Sequence, residues 1–141
     1  MYSSLFVLKL DTDGSLQWAT NWENPDTANS GNALAFDSIG NIYVAGSILN
    51  PFQYPGSALT MKLSPSDGSV LWASSWTVPS SATGGITSYL ITSASAVTVD
   101  PSGDLIIAGT WEWYNIDTGL WIPYLLLIKY DANGNYLWNM G

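Results

Sequence analysis

Apolar and polar residues alternate along most of this chain in short runs, each cut off by a cluster of Asp, Asn, Ser or Gly. Period-two alternation rich in β-branched and aromatic residues predicts strands, and Asp-x-x-Gly or Asp-Gly predicts tight turns between them. This places strands at about 4–10, 16–22, 33–37, 42–47, 58–63, 70–76, 95–100, 105–113, 121–130 and 136–140. Windows long enough for a helix are broken by Gly and Pro or keep period two. The expected class is all-β.

The pattern repeats. LFVLKLDTDGSLQWATNW from Leu5, LTMKLSPSDGSVLWASSW from Leu59 and LLLIKYDANGNYLWNMG from Leu125 share an apolar run, a Lys, a Gly-bearing turn and a Trp four residues after the Gly. The pairs are Gly14/Trp18, Gly68/Trp72 and Gly134/Trp138, and Trp22 and Trp76 follow in the first two copies. A second unit occurs twice, as NALAFDSIGNIYVAG from Asn32 and SAVTVDPSGDLIIAG from Ser95. Ala33, Asp37, Gly40 and Gly46 of the first match Ala96, Asp100, Gly103 and Gly109 of the second. With the inner pair of strands labelled A and B and the outer pair C and D, the order reads C-D, A-B-C-D, A-B-C-D. Four antiparallel strands per repeat of roughly 40–50 residues fits β-propeller blades.

The motifs NIYVAG, LKLDTDGSLQW and IKYDANGNYLW resemble the SBBP-type β-propeller repeat of secreted bacterial and archaeal proteins, over nearly the whole chain. The Asp–Gly–Trp spacing also resembles the tryptophan-docking motif of quinoprotein propellers. That resemblance implies a packing role between blades for Trp18, Trp72 and Trp138. The expected architecture is one domain over 1–141, made of a half blade at 1–31 and blades at 32–77 and 94–141. About two and a half blades form an incomplete ring, because closure takes at least about four. Antiparallel order puts the tight turns 11–14, 37–40, 64–68, 100–103 and 131–134 at one end of the blades. The connections 23–32, 47–57, 77–93 and 110–121, expected to be long and irregular, share the opposite end, where variable loops commonly bind.

Composition narrows the function classes. The 141 residues are 47% hydrophobic and 13% aromatic, and only 10% are charged. A net charge of −8, with three Lys among the basic residues, leaves no patch to neutralise phosphates, so nucleic acid and anionic membrane surfaces are not expected partners. No stretch reaches the roughly 18 apolar residues of a membrane span, and the N-terminal MYSSLFVLKL lacks the basic start of a signal peptide. Low charge and the resemblance together imply an extracellular or cell-surface protein whose targeting segment lies outside this chain. With no Cys, thiolate zinc sites, disulfides and thiol nucleophiles are excluded.

Catalytic constellations are sparse. Without His there is no Ser–His–Asp chemistry, and the two Glu residues, Glu23 and Glu112, have no assignable partner for paired-carboxylate hydrolysis. DTDG at Asp11–Gly14 and DANGN at Asp131–Asn135 are hairpin turns; the further acids of a calcium loop are missing, and no metal or other cofactor is expected. The spacing also departs from the sialidase Asp-box, and no Arg is present to hold a substrate carboxylate. Lys9, Lys62 and Lys129 occupy one equivalent place per repeat, where the stem covers apolar surface and the ammonium meets a neighbouring Asp.

The aromatic run TWEWYNIDTGLWIPY supplies the candidate binding residues Trp111, Trp113, Tyr114 and Trp121, joined by Phe52 and Tyr54 from the preceding blade. Exposed aromatics suit a protein interface or carbohydrate stacking. The expectation is a non-enzymatic structural or interaction module, acting by self-association or as part of a larger propeller. The alternative is a carbohydrate- or small-ligand-binding module using the aromatic face.

Overall fold

The computed structural model describes residues 3–50, 53–79, 81 and 90–141, with backbone alone at 53 and 54. Of these, 67% lie in strands, and no helix occurs among them. The strands are β1 (Leu5–Leu10), β2 (Leu16–Trp22), β3 (Ala28–Phe36), β4 (Ile42–Asn50), β5 (Gln53–Leu63), β6 (Val70–Trp76), β7 (Leu90–Val99), β8 (Leu105–Asn115), β9 (Leu120–Tyr130) and β10 (Tyr136–Met140). They form three antiparallel sheets: β1-β2, then β3-β4-β5-β6, then β7-β8-β9-β10, each in sequential order and none closed.

The strands run longer than the alternation alone marks. β3 begins at Ala28 and β7 at Leu90, ahead of the expected starts at 33 and 95. The connections expected at 47–57 and 110–121 are mostly strand: Asn50 pairs with Gln53, and β8 and β9 stay paired from Leu105↔Tyr130 out to Asn115↔Leu120. Pro123 sits within β9 opposite Glu112, beyond the last β9–β10 pair at Leu127↔Met140. Among the described residues one side of β9 is therefore unpaired there, the setting in which a strand tolerates a missing N–H.

Bulges recur at equivalent places. All three outer hairpins shift register beside the Lys, between Lys9 and Leu10, between Lys62 and Leu63, and opposite Lys129 and Tyr130. Both inner pairs shift at Gly31/Ala33 and Ala94/Ala96. Opposite these inner bulges, Gly46 and Gly109 lie so close to the partner backbone that a Cβ would come within 1.9 Å of the Ser30 carbonyl and 2.0 Å of the Ser93 carbonyl. Only glycine fits there. A bulge raises local twist, so the repeated placement gives the sheets a common shape.

The core consists of the two surfaces where consecutive sheets stack. Leu5, Val7 and Trp18 of the first sheet bury against Ile42, Val44, Leu59, Met61 and Leu63 of the second. Tyr43, Ala45 and Ala58 of the second sheet bury against Leu90, Ala94, Leu105, Ile107, Leu126, Ile128 and Tyr130 of the third. Successive residues of β4 thus serve opposite junctions, which is why IYVA is a continuous apolar run. Asn32 crosses the second junction, its Nδ2 donating to the Ala94 carbonyl at 2.8 Å.

Met61, Ile128 and Leu8 are equivalent in the repeat, but the first two are buried and Leu8 is exposed. Met61→Ala and Ile128→Ala are each expected to cost about 2–5 kcal/mol in chemical denaturation. Leu8→Ala should change the stability of a dilute sample by less than about 0.5 kcal/mol. Equal losses at all three positions would contradict this description of the core.

Candidate functional site

Two features gather the polar and aromatic side chains: a junction built twice, from parts present in all three repeats, and the aromatic hairpin. In the junction, Lys9 on β1 and Trp18 on β2 are cross-strand partners facing the second sheet. The Lys9 ammonium donates to the Pro65 carbonyl at 2.9 Å, and the Trp18 indole N–H donates to the same oxygen at 3.3 Å. Thr20 Oγ1 donates to the Gly68 carbonyl. The indole lies on the turn, where a Cβ added to Gly68 would meet Trp18 Cε3 at 2.4 Å.

The next junction repeats this geometry. Lys62 and Trp72 are cross-strand partners, and both donate to the Ala132 carbonyl, at 3.3 and 3.4 Å. A Cβ on Gly134 would meet Trp72 Cδ2 at 2.8 Å. Both glycines have positive φ, +73° and +85°, so the tight turn and the indole each require a residue without a side chain. Tyr43 extends the cluster, its ring 6.2 Å from that of Trp72 and 5.1 Å from the Lys62 ammonium.

The third copy has the same parts, with no further sheet over it among the described residues. Trp138 pairs with Lys129 but is 40% exposed. Lys129 turns back within its own sheet, to Asp100 at 2.9 Å and Asp104 at 3.0 Å. Those contacts hold the Asp100 carboxyl below its usual range and the Lys129 ammonium above its own. So one Lys of three meets an Asp, while Lys9 and Lys62 reach a carbonyl of the next sheet.

The turns consume their own acids. Asp11, Asp37, Asp100 and Asp131 each accept two backbone N–H bonds through Oδ1 from residues two and four positions on. This is the Asx-turn arrangement. Bonds from Asn135 hold the Asp131 carboxyl low, and those from Ser69 and Ser64 do so for Asp67. For Asp37, desolvation pushes upward, but bonds from Asn41, Ile39 and Tyr43 outweigh it. Among the described residues no group of three or more acids is arranged to hold a metal ion.

The aromatic run is a strand pair that divides its rings between two faces. Trp111 and Trp113 lie opposite Tyr124 and Ile122 on the face turned toward the second sheet. Trp111 is buried and stacks on Tyr124, with centroids 4.2 Å apart and planes 9° apart. Tyr114 and Trp121 are cross-strand partners on the other face, 5.4 Å apart and tilted by 54°. Trp111, Trp113 and Trp121 therefore do not form one platform. Tyr54 lies in β5 with its side chain undescribed, and Phe52 lies outside the described residues. The hairpin tip is set by Asn115, whose Oδ1 accepts from the Asp117 and Thr118 N–H groups and whose carbonyl accepts from Gly119 N–H.

Residue-by-residue reading of the sequence missed the exposed apolar positions. Phe6, Leu8 and Leu10 of β1, with Leu34 and Phe36 of β3, are exposed. A groove of about 420 Å³ lined by Phe6, Leu8, Ala33, Leu34 and Val44 lies between these strands. The repeat alignment held the signal, since Phe6, Leu8 and Leu10 match positions that are core elsewhere.

No protein-family model matches this sequence, and no curated protein matches it either.

The titrating groups fix a pH response. Asp37, Asp67, Asp100 and Asp131 are held low, so their stabilisation is present above the unfolded carboxyl value and is lost as pH falls through the native one. Lys129 is raised, so its contribution is present below the unfolded ammonium value and is lost as pH rises through the native one. With no His, the thermal midpoint should stay flat from about pH 5 to 9 and fall below about pH 4. A transition centred near pH 6 would contradict this assignment.

Proposed function

We propose that this chain is a non-enzymatic structural and interaction module of SBBP-like propeller blades, working by association of its open sheet faces at the cell surface or outside the cell. The single observation that carries the reading is the unmatched apolar surface at both ends of the stack. Phe6, Leu8 and Leu10 lie exposed on the first sheet, and Leu125, Leu137 and Trp138 on the third. Contiguous apolar surface of this kind marks an interaction site. The absence of His from the sequence and the engagement of the turn carboxylates in backbone hydrogen bonds support a role without catalysis.

A second reading rests on the exposed side of the aromatic hairpin. Trp121 is 39% exposed beside Tyr114, a pair suited to stack on the apolar face of a sugar ring.

Light scattering over a concentration series tests the association. The mass is expected to rise above the 15.2 kDa of one chain, and more so in added salt, which screens the −8 charge each copy carries. A mass fixed at one chain across the series defeats the reading and moves attention to glycan binding by the Tyr114–Trp121 pair.

A further inference from the structure

Each internal junction joins the same two surfaces; the inserting surface and the outer-strand part of the receiving surface recur uncovered, one at each end of the described sheets. The receiving surface is seen first in Leu59, Met61 and Leu63, and again in Leu126, Ile128 and Tyr130. All six are 2% exposed or less beneath the preceding sheet. Their equivalents on β1 are Phe6, Leu8 and Leu10, exposed by 65%, 59% and 53%. The inserting surface is Leu5, Val7, Lys9 and Trp18 at one junction and Ala58, Thr60, Lys62 and Trp72 at the next. Its third copy carries Leu125, 65% exposed, and Trp138.

The turns complete the match. Trp18 sits on Gly68 and Trp72 on Gly134, and the carbonyl accepting each indole N–H belongs to the second residue of that turn, Pro65 or Ala132. The equivalent turn on the first sheet is Asp11–Gly14, with Thr12 in the accepting position. A Cβ at Gly14 would have nothing within 4 Å, so this seat is empty within one copy.

We propose that a second copy of this chain docks head to tail, with Trp138 of one copy lying on Gly14 of the next and its indole N–H donating to the Thr12 carbonyl. The proposal rests on the assembly reading above and gives it a polarity. Two inserting faces together would set indole against indole with no turn glycine beneath either. Two receiving faces would supply apolar side chains and no indole. Only the polar arrangement reproduces the contact the chain already makes twice. Such a contact is heterologous, so each copy keeps one free end unless the chain of copies closes on itself.

Complementary variants test this. Gly14→Asn keeps the turn, because Asn tolerates positive φ, and puts a side chain on the empty seat. Trp138→Ala removes an exposed ring, so the fold of a single copy should persist. Each variant alone should associate roughly thirtyfold more weakly than the unaltered chain, with a thermal midpoint close to that of the dilute unaltered chain. Mixed in equal amounts, Gly14→Asn supplies an intact Trp138 and Trp138→Ala an intact Gly14. The mixture should form a species of two copies, one of each variant, read by native mass spectrometry. Association that ignores both substitutions, or a mixture that forms no mixed pair while the unaltered chain assembles, overturns the head-to-tail contact and leaves the assembly reading standing. An unaltered chain that never associates overturns both.

Discussion

An indole lying flat on a glycine of a neighbouring turn fixes the spacing of these sheets. The glycine can carry no Cβ there, because the ring occupies its place. The ring in turn is aimed by its N–H, which shares one turn carbonyl with a Lys ammonium from the adjacent strand. With the turn end of each sheet pinned in this way, the apolar faces behind it close in register. Trp18 lies within the cluster buried between the first two sheets, and Trp72 packs against the cluster between the second and third. Interiors are close-packed, so a displaced indole would disturb the whole face it anchors.

The same arrangement explains how a chain with 10% charged residues stays ordered at its polar end. Asp11, Asp37, Asp100 and Asp131 act locally, accepting the backbone N–H groups of their own turns. The lysines satisfy carbonyls of the next sheet where there is one, and carboxylates of their own sheet where there is none. The change of partner from Lys62 to Lys129 thus follows whether another of the described sheets lies over the ammonium.

Much of the fold was legible because the repeat restates itself. Turn positions, strand order and the cross-strand placing of each Lys beside its Trp follow from Asp, Gly and Trp at fixed offsets. What alternation concealed was strand length. Gly31 and Asn32, at a bulge, read as loop although both lie within β3. In the aromatic run, alternation put Trp111 and Trp113 on one side and Tyr114 on the other; the continuous pairing out to Asn115↔Leu120, which sets Trp121 beside Tyr114 and apart from the other two tryptophans, was not legible. Exposure was illegible position by position, because Leu8 and Met61 are alike in pattern and differ only in whether another sheet lies over them.

Hydrogen exchange of the indole N–H groups, resolved by NMR in dilute protein, tests the repeated junction most directly. Exchange reports opening of individual hydrogen bonds, from local fraying to global unfolding. The account predicts slow exchange at Trp18 and Trp72, whose N–H groups donate across sheets, and fast exchange at Trp138, with protection appearing there only as concentration rises. Fast exchange at Trp18 and Trp72, or protection of Trp138 equal to theirs at every dilution, would contradict it.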